Sequence, residues 1–302
     1  MSSLETRVSN IVLKHPVMNA SGLLVTSVES IDKLADAGVS AIVTKTLTRK
    51  PREGYRPPII VPLRQGLLNA VGLANPGIDA VYDLVKRGHG HGLPVIVSLS
   101  GKDVDEIVYI ASKAVDAGAD VLELNLSCPH TPGYGKDLAS DLGVLRNIVS
   151  GVKSITDKPV WVKLGYSDHL IKYADVVIDA GSDALVLINT LPGMAIDVFI
   201  GKPILSNKFG GLSGQAIHPI AVYCVYSVYR EYSIDIVGVG GVYSWMDAIE
   251  FIMAGARAIQ LATAVYLDGY GVFRKIVNGI QIFLKDMGYR SIDEIVGIAH
   301  RF

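Results

Sequence analysis

Cys128 stands in the run Asn125-Leu126-Ser127-Cys128-Pro129-His130-Thr131-Pro132-Gly133, where two prolines and a glycine shape a loop. A thiol on such a loop can take a proton from a carbon acid. Cys224, in the helical run Ala221-Val222-Tyr223-Cys224-Val225-Tyr226, reads instead as packing. Lys45 and Lys163 each lie at the end of an aliphatic run. An uncompensated ammonium among apolar neighbours costs on the order of several kcal/mol, so each wants an anionic partner. That partner is either a structural carboxylate or a ligand. A flavin would serve both lysines, because a fixed cation near its N1 and O2 stabilises the charge that reduction places there. Gly238-Val239-Gly240-Gly241 and Ala262-Thr263-Ala264 offer backbone N–H groups that could hold a phosphate. Glycine allows close approach to the anion, and a helix opening at Thr263 would add partial positive charge.

Elements must bring these scattered residues together, and a repeated phrase indicates which. Asp36-Ala37-Gly38, Asp116-Ala117-Gly118, Asp179-Ala180-Gly181 and Met253-Ala254-Gly255 each precede an aliphatic run. The glycine suits the left-handed residue that stops a helix, and the run suits a strand buried in a parallel sheet. Filling the gaps predicts eight strands, at 17–20, 41–45, 95–99, 121–126, 160–164, 184–189, 235–239 and 258–261, with helical patterns between most of them. That alternation predicts an α/β fold, a (β/α)8 TIM barrel occupying 1–302 as one domain, with a doubly wound sheet as the alternative. Two stretches, 46–75 and 190–214, exceed ordinary βα loops and are expected to be functional. Polar residues gather where the strands end: Asn19, Ser21, Lys45, Ser98, Ser100, Asn125, Ser127, Lys163, Asn189 and Thr190. In a barrel that rim is where active sites form, and the turns after strands seven and eight are the habitual phosphate site.

The 302 residues suffice for one large barrel, which takes about 250. A net charge of −1, from 28 basic and 29 acidic residues, gives no field for nucleic acid. Two cysteines offer neither a disulfide framework nor a CxxC pair for zinc or iron–sulfur. No segment approaches the roughly 20 apolar residues that span a bilayer, and the first ten residues lack a signal-like apolar stretch, so the expectation is a soluble, cytoplasmic protein. No GxGxxG fingerprint is present, which favours FMN over a dinucleotide.

Taken together, these strings resemble the dihydroorotate dehydrogenase family over nearly the whole chain. Asn19-Ala20-Ser21-Gly22 resembles its opening flavin contact, and Val43-Thr44-Lys45-Thr46-Leu47-Thr48 the strand whose lysine lies between flavin and substrate. Asn69-Ala70-Val71-Gly72-Leu73-Ala74-Asn75-Pro76-Gly77 is similar to its substrate-binding turn, and Asn125-Leu126-Ser127-Cys128-Pro129 to its catalytic loop. Cys128 in place of Ser points to the soluble class, since the membrane-associated class uses Ser and an N-terminal hydrophobic extension. Met194-Ala195-Ile196-Asp197, Lys202-Pro203-Ile204-Leu205 and Gly210-Gly211-Leu212-Ser213-Gly214 resemble the class that works with an NAD-linked flavoprotein subunit carrying FAD and a [2Fe–2S] cluster.

The resemblance implies FMN-dependent oxidation of dihydroorotate to orotate in pyrimidine biosynthesis. Cys128 would take the C5 proton while hydride leaves C6 for flavin N5. Lys45, Asn69, Gly72, Leu73, Asn125, Asn189 and Thr190 would bind substrate. Ala20, Ser21, Lys45, Thr46, Asn125, Lys163, Gly214, Gly240, Gly241, Ala262 and Thr263 would bind FMN. A homodimeric core or a hetero-oligomer is expected. Two departures stand out: His130 where many members have Asn, and Tyr55 in place of a Gly-Asn pair. Cys-Pro-His also resembles dihydropyrimidine dehydrogenases, so a flavoprotein acting on uracil or thymine is the alternative enzyme. A barrel that merely binds a nucleotide or a partner is the non-catalytic alternative.

Overall fold

The computed structural model describes residues 2–22, 24–126 and 141–302. Eight parallel strands form one sheet: Val17–Asn19, Ile42–Val43, Val95–Leu99, Val121–Asn125, Val160–Leu164, Ala184–Leu187, Asp235–Val239 and Ala258–Leu261. Neighbours in the sheet are neighbours in sequence, and the first strand pairs with the eighth. This is the (β/α)8 barrel. Val95–Leu99, Val121–Asn125 and Val160–Leu164 are buried at every residue, as strands must be when helices cover one face and a filled barrel the other.

The last seam, between strands one and two, is closed largely by side chains. Asn19, wholly buried, donates from Nδ2 to the Val43 carbonyl at 2.6 Å and accepts the Val43 N–H at 3.0 Å. Its amide thus replaces one peptide of the missing ladder. Ser40 completes the seam, its N–H and its hydroxyl both donating to the Val17 carbonyl, at 3.0 and 2.9 Å. Asn19 therefore serves barrel closure, and Ala20 and Ser21, the residues of its run expected to bind the cofactor, lie on the rim.

The glycines of the repeated phrase all have positive φ, 86°, 88°, 100° and 123° for Gly38, Gly118, Gly181 and Gly255. Gly38 ends the helix Val28–Ala37 in the left-handed conformation, its N–H donating to Ala35 and Leu34 carbonyls. The two long stretches are more ordered than loops. Ile60–Leu63, Gly66–Asn69, Leu191–Gly193 and Gly210–Ser213 form a four-stranded antiparallel sheet, with Asn69 opposite Gly211 and Leu67 opposite Ser213. Stretches 46–75 and 190–214 are thereby locked to each other.

Under the barrel lies a hairpin that the sequence did not suggest, Thr6–Val8 paired with Ile11–Leu13. Val8 and Leu13 are wholly buried against interior residues such as Met18 and Trp161. The Trp161 indole donates to Ser9 Oγ at the hairpin's turn, 3.1 Å away, so a buried N–H is satisfied. Among the described residues no helix is long and apolar enough to cross a membrane.

His15 leads from this hairpin into the first strand. Its Nε2 lies 2.8 Å from the Gly38 carbonyl, and its Nδ1 accepts the Val17 N–H at 3.3 Å. Only the neutral ring fits, because a proton on Nδ1 would face that N–H. Burial lowers the pKa from 6.5 to about 4, with nearby Lys14 adding to the effect and the Gly38 hydrogen bond opposing it. Between those values the unfolded chain binds a proton that the folded chain refuses, so stability falls as pH drops from 6.5 towards 4. The loss should reach on the order of 3 kcal/mol. Urea unfolding across this window should show it, and His15→Gln should flatten that part of the profile; an unchanged pH dependence would exclude His15 as its source.

Candidate active site

The C-terminal ends of the strands open into two adjoining clefts. One is lined by Ser21, Lys45, Thr46, Asn69, Gly72, Leu73, Asn125, Lys163, Asn189, Thr190, Ala262 and Thr263, together with Gly22, Val71 and Ser213. The other shares Ser21, Lys163, Asn189, Thr190 and Thr263 and adds Ala20, Gly214, Gly240 and Gly241. Every residue expected to bind substrate or cofactor therefore meets on one continuous rim. Cys128 and His130 lie outside the described residues.

Thr46 is the knot of the rim. Its Oγ1 accepts from Asn125 Nδ2 at 3.0 Å and lies 2.8 Å from Ser21 Oγ and 3.1 Å from Ser98 Oγ. Asn189 Nδ2 in turn donates to Asn125 Oδ1 at 3.2 Å, and Asn189 Oδ1 accepts the Thr190 N–H at 2.8 Å. A chain of neutral hydrogen bonds thus ties strands one, two, three, four and six at one level. Buried amides so connected have fixed orientation, which is what recognition of a planar polar ring requires. Lys45, only 5% exposed, is placed where the second strand has ended: its N–H donates to the Val25 carbonyl at 3.0 Å.

Opposite stands the turn holding Gly72 and Leu73, both left-handed at φ 70° and 56°. Asn75 fixes it, accepting the N–H groups of Thr48 and Gly77 at 3.1 and 2.8 Å and donating to Thr48 Oγ1 and the Leu73 carbonyl at 2.9 and 2.7 Å. Tyr55 packs directly on this turn: its N–H donates to the Val71 carbonyl at 3.2 Å, and a Cβ on Gly72 would lie 2.9 Å from its ring. The residue that departs from the family pattern is therefore built into the turn's support.

The second cleft ends at backbone. Gly240 and Gly241 have φ 129° and 77°, and neither their N–H groups nor that of Thr263 is taken up by other backbone carbonyls of the described residues. Gly241 lies against His218, where a Cβ would come within 2.6 Å of the histidine's own Cβ. His218 spans from the Gly240 carbonyl at 3.3 Å to the Glu250 carboxylate at 2.9 Å, bracing the turn. Gly214 brings the long-loop sheet down to this point, since a Cβ there would meet Gly66 Cα at 2.6 Å and Thr263 Cγ2 at 3.1 Å. The helix that Thr263 opens, Thr263–Asp268, is only 6 residues long, so its dipole is smaller than the sequence suggested. The donors at this end are backbone N–H groups, since the Thr263 hydroxyl is already donated to Ser213 Oγ at 2.8 Å. Such a set suits a phosphate.

Beneath both clefts, Lys163 is buried with two residues that sequence reading passed over, Glu123 and Gln260. Gln260 Nε2 donates to Glu123 Oε2 at 2.8 Å, while Lys163 Nζ donates to Gln260 Oε1 at 3.4 Å and lies 4.0 Å from Glu123 Oε1. The structural carboxylate that Lys163 calls for is therefore present. Burial lowers the Lys163 pKa and the Glu123 charge opposes that shift. Glu123 could have been found from sequence, since an acidic residue centred in the aliphatic strand Val121–Asn125 needs a partner as much as a lysine does. Ser213 carried no such signal.

Comparison with known proteins bears on this rim directly. The model of the dihydroorotate dehydrogenase family matches residues 3–284. A protein of Methanothermobacter thermautotrophicus named dihydroorotate dehydrogenase B (NAD(+)), catalytic subunit, is 43% identical over 300 residues, covering 98% of each chain. A protein of the same name from Thermoplasma acidophilum is 41% identical over 302 residues, the whole of both chains. One from Aeropyrum pernix, provisionally named dihydroorotate dehydrogenase A (fumarate), is 44% identical over 299 residues, with 99% of this chain and 98% of that one covered. With one family matched across the barrel and both clefts, this chain belongs to the dihydroorotate dehydrogenases, a family of oxidoreductases.

Proposed function

We propose that this chain oxidises dihydroorotate to orotate using FMN held in the adjoining cleft, with the uracil-reducing alternative not favoured by the family match. The observation that carries the reading is the convergence of two buried lysines, three asparagines and three threonines on a single cleft that runs into an anion-suited turn. Dihydroorotate presents a carboxylate and two amide edges. Lys45 supplies the charge for the first, while Asn69, Asn125, Asn189 and Thr190 supply the donors and acceptors for the others.

FMN fits the donor set, with one phosphate for Gly240, Gly241, Ala262 and Thr263 and a cation, Lys163, at the cleft they share. When bound it supplies a two-electron acceptor for hydride from C6. Cys128 takes the proton from C5, and the Thr46 chain holds Asn125 and Asn189 in the fixed orientation that positions the ring. Gly72 and Leu73 shape the wall opposite. Adding dihydroorotate anaerobically to the purified protein should bleach its flavin. A positioned base contributes roughly 10²- to 10⁴-fold, so Cys128→Ala should slow bleaching by that factor while still binding orotate. Wild-type bleaching in the variant removes Cys128 from the mechanism; a colourless protein that gains no colour with FMN overturns the whole reading.

Lys45 separates orotate from uracil, since only orotate carries a carboxylate. Lys45→Ala should weaken orotate binding by about 1.5–3 kcal/mol, the worth of a charged hydrogen bond. Uracil binding should change far less. Titrating both ligands against flavin absorbance measures the difference, and equal losses would show that Lys45 does not read the carboxylate.

The electrons must then leave the chain. It carries no dinucleotide fingerprint and only two cysteines, and two of the relatives described above are named as catalytic subunits, which supports a partner subunit carrying FAD and a [2Fe–2S] cluster. The isolated chain, reduced by dihydroorotate, should therefore fail to form NADH when offered NAD+ alone. Rapid flavin reoxidation with NADH formation would sink the partner; rapid reoxidation by fumarate would put the chain with the fumarate-linked reading instead.

A further inference from the structure

The Glu123 side chain is wholly buried in the barrel, and only one of its oxygens is hydrogen bonded. Oε1 has no hydrogen-bond partner among the described residues and sits 4.0 Å from Lys163 Nζ, too far for a hydrogen bond. Gln260 lies between the two charges in a single orientation. A carboxylate only accepts and an ammonium only donates, so the amide must turn its Nε2 to Glu123 and its Oε1 to Lys163. The reverse orientation would set donor against donor and acceptor against acceptor. Glu123 and Lys163 thus hold Gln260 in one orientation between them, and the Glu123 charge draws on the ammonium without capturing it. Lys163 remains part of the lining of both clefts.

We propose that Glu123 is a positioning residue of this site: directly and through Gln260, it keeps Lys163 cationic and fixed at the floor of the clefts, so that a bound flavin meets a permanent positive charge. The inference rests on the flavin reading above for its consequence, and on the buried triad alone for its mechanism. Burial works against the ammonium and Glu123 works for it. The charged side chains lining the clefts, among the described residues, are Lys163 itself and Lys45, so Glu123 is the counter-charge that faces Lys163 from the strands around it. Without Glu123, Lys163 would lose its proton at a lower pH, and Gln260 would be free to turn once that proton had left.

The test measures the reduction potential of the bound flavin from pH 6 to pH 9 in the parent, Glu123→Gln, Lys163→Met and the double variant, with thermal melts of the same four proteins stripped of cofactor. At the acid end of this range, where protonation of Lys163 is most favoured, Glu123→Gln should match or exceed the parent potential. By pH 9 it should fall below the parent by about 30 mV or more, a tenfold change for two electrons. The double variant should match Lys163→Met, since Glu123 acts through Lys163. In the melts, Lys163→Met strands a buried carboxylate, and adding Glu123→Gln should recover part of the loss. A Glu123→Gln potential raised by the same amount at every pH would overturn the proposal, because Glu123 would then act on the flavin merely as a negative charge. Additive losses in the double variant, in potential or in melting, would overturn it as well. Failure of the parent to take up any flavin would refute the functional reading, and the melts would still decide whether Glu123 and Lys163 are coupled.

Discussion

The amide of Asn19 stands where a ladder of backbone hydrogen bonds is missing, and the geometry of the rim depends on it. Its two hydrogen bonds to Val43 join the first strand to the second, and with Ser40 they turn an eight-stranded sheet into a closed barrel. Ser21 lies two residues beyond Asn19 and Thr46 three beyond Val43, so the seam sets the 2.8 Å meeting of their hydroxyls. From Thr46 the hydrogen bonds run on to Asn125 and Asn189. A splayed seam would separate the first link of that chain from the rest, and the amides would lose their fixed orientation.

Closure also decides what the interior must contain. Met18, Ile96, Val121 and Trp161 pack in the lower barrel as one apolar cluster with Val8 and Leu13 of the plugging hairpin. One layer up are Glu123, Lys163 and Gln260, each under 6% exposed. Ions buried so deeply are stable only when paired and hydrogen bonded. The triad meets that condition incompletely, since a carboxylate oxygen is left over and the ion pair is long. An apolar filling of similar volume is often as stable as a buried ion pair or more so. The retention of charges in this layer, directly beneath the clefts, is a local cost of the kind that functional sites carry.

Much of this was legible in the sequence because barrels repeat. The glycine that ends a helix before an aliphatic strand marked four of the eight units, and the strands expected at 95–99, 160–164, 235–239 and 258–261 are those observed. The second strand is shorter than expected, because Lys45 already bonds to Val25 rather than continuing the ladder. The rim was legible through residue type, since lysines and asparagines ending apolar runs are conspicuous. Less visible were contacts between parts far apart in the chain. Gly66–Asn69 and Gly210–Ser213 pair across about 140 residues, and strands so short and rich in glycine have no periodicity to read. Glu123 and Gln260 were missed for another reason: each looks like an isolated polar intrusion until the barrel places them side by side.

The sheet made from the two long stretches bears on how a ligand reaches the clefts. Its strands come from the connections after barrel strands two and six, yet they pair with each other, through the Asn69 side chain as well as the backbone. Moving one stretch therefore means moving both or breaking the ladder. Asn69 sits in that ladder and lines the cleft, while Ser213, opposite Leu67, lines both clefts and accepts from Thr263 at the phosphate end. One covering sheet thus touches the wall of the first cleft through one residue and the glycine turn of the second through another. The walls of the two clefts are mechanically joined above by this sheet, as they are joined below by Lys163, which lines both.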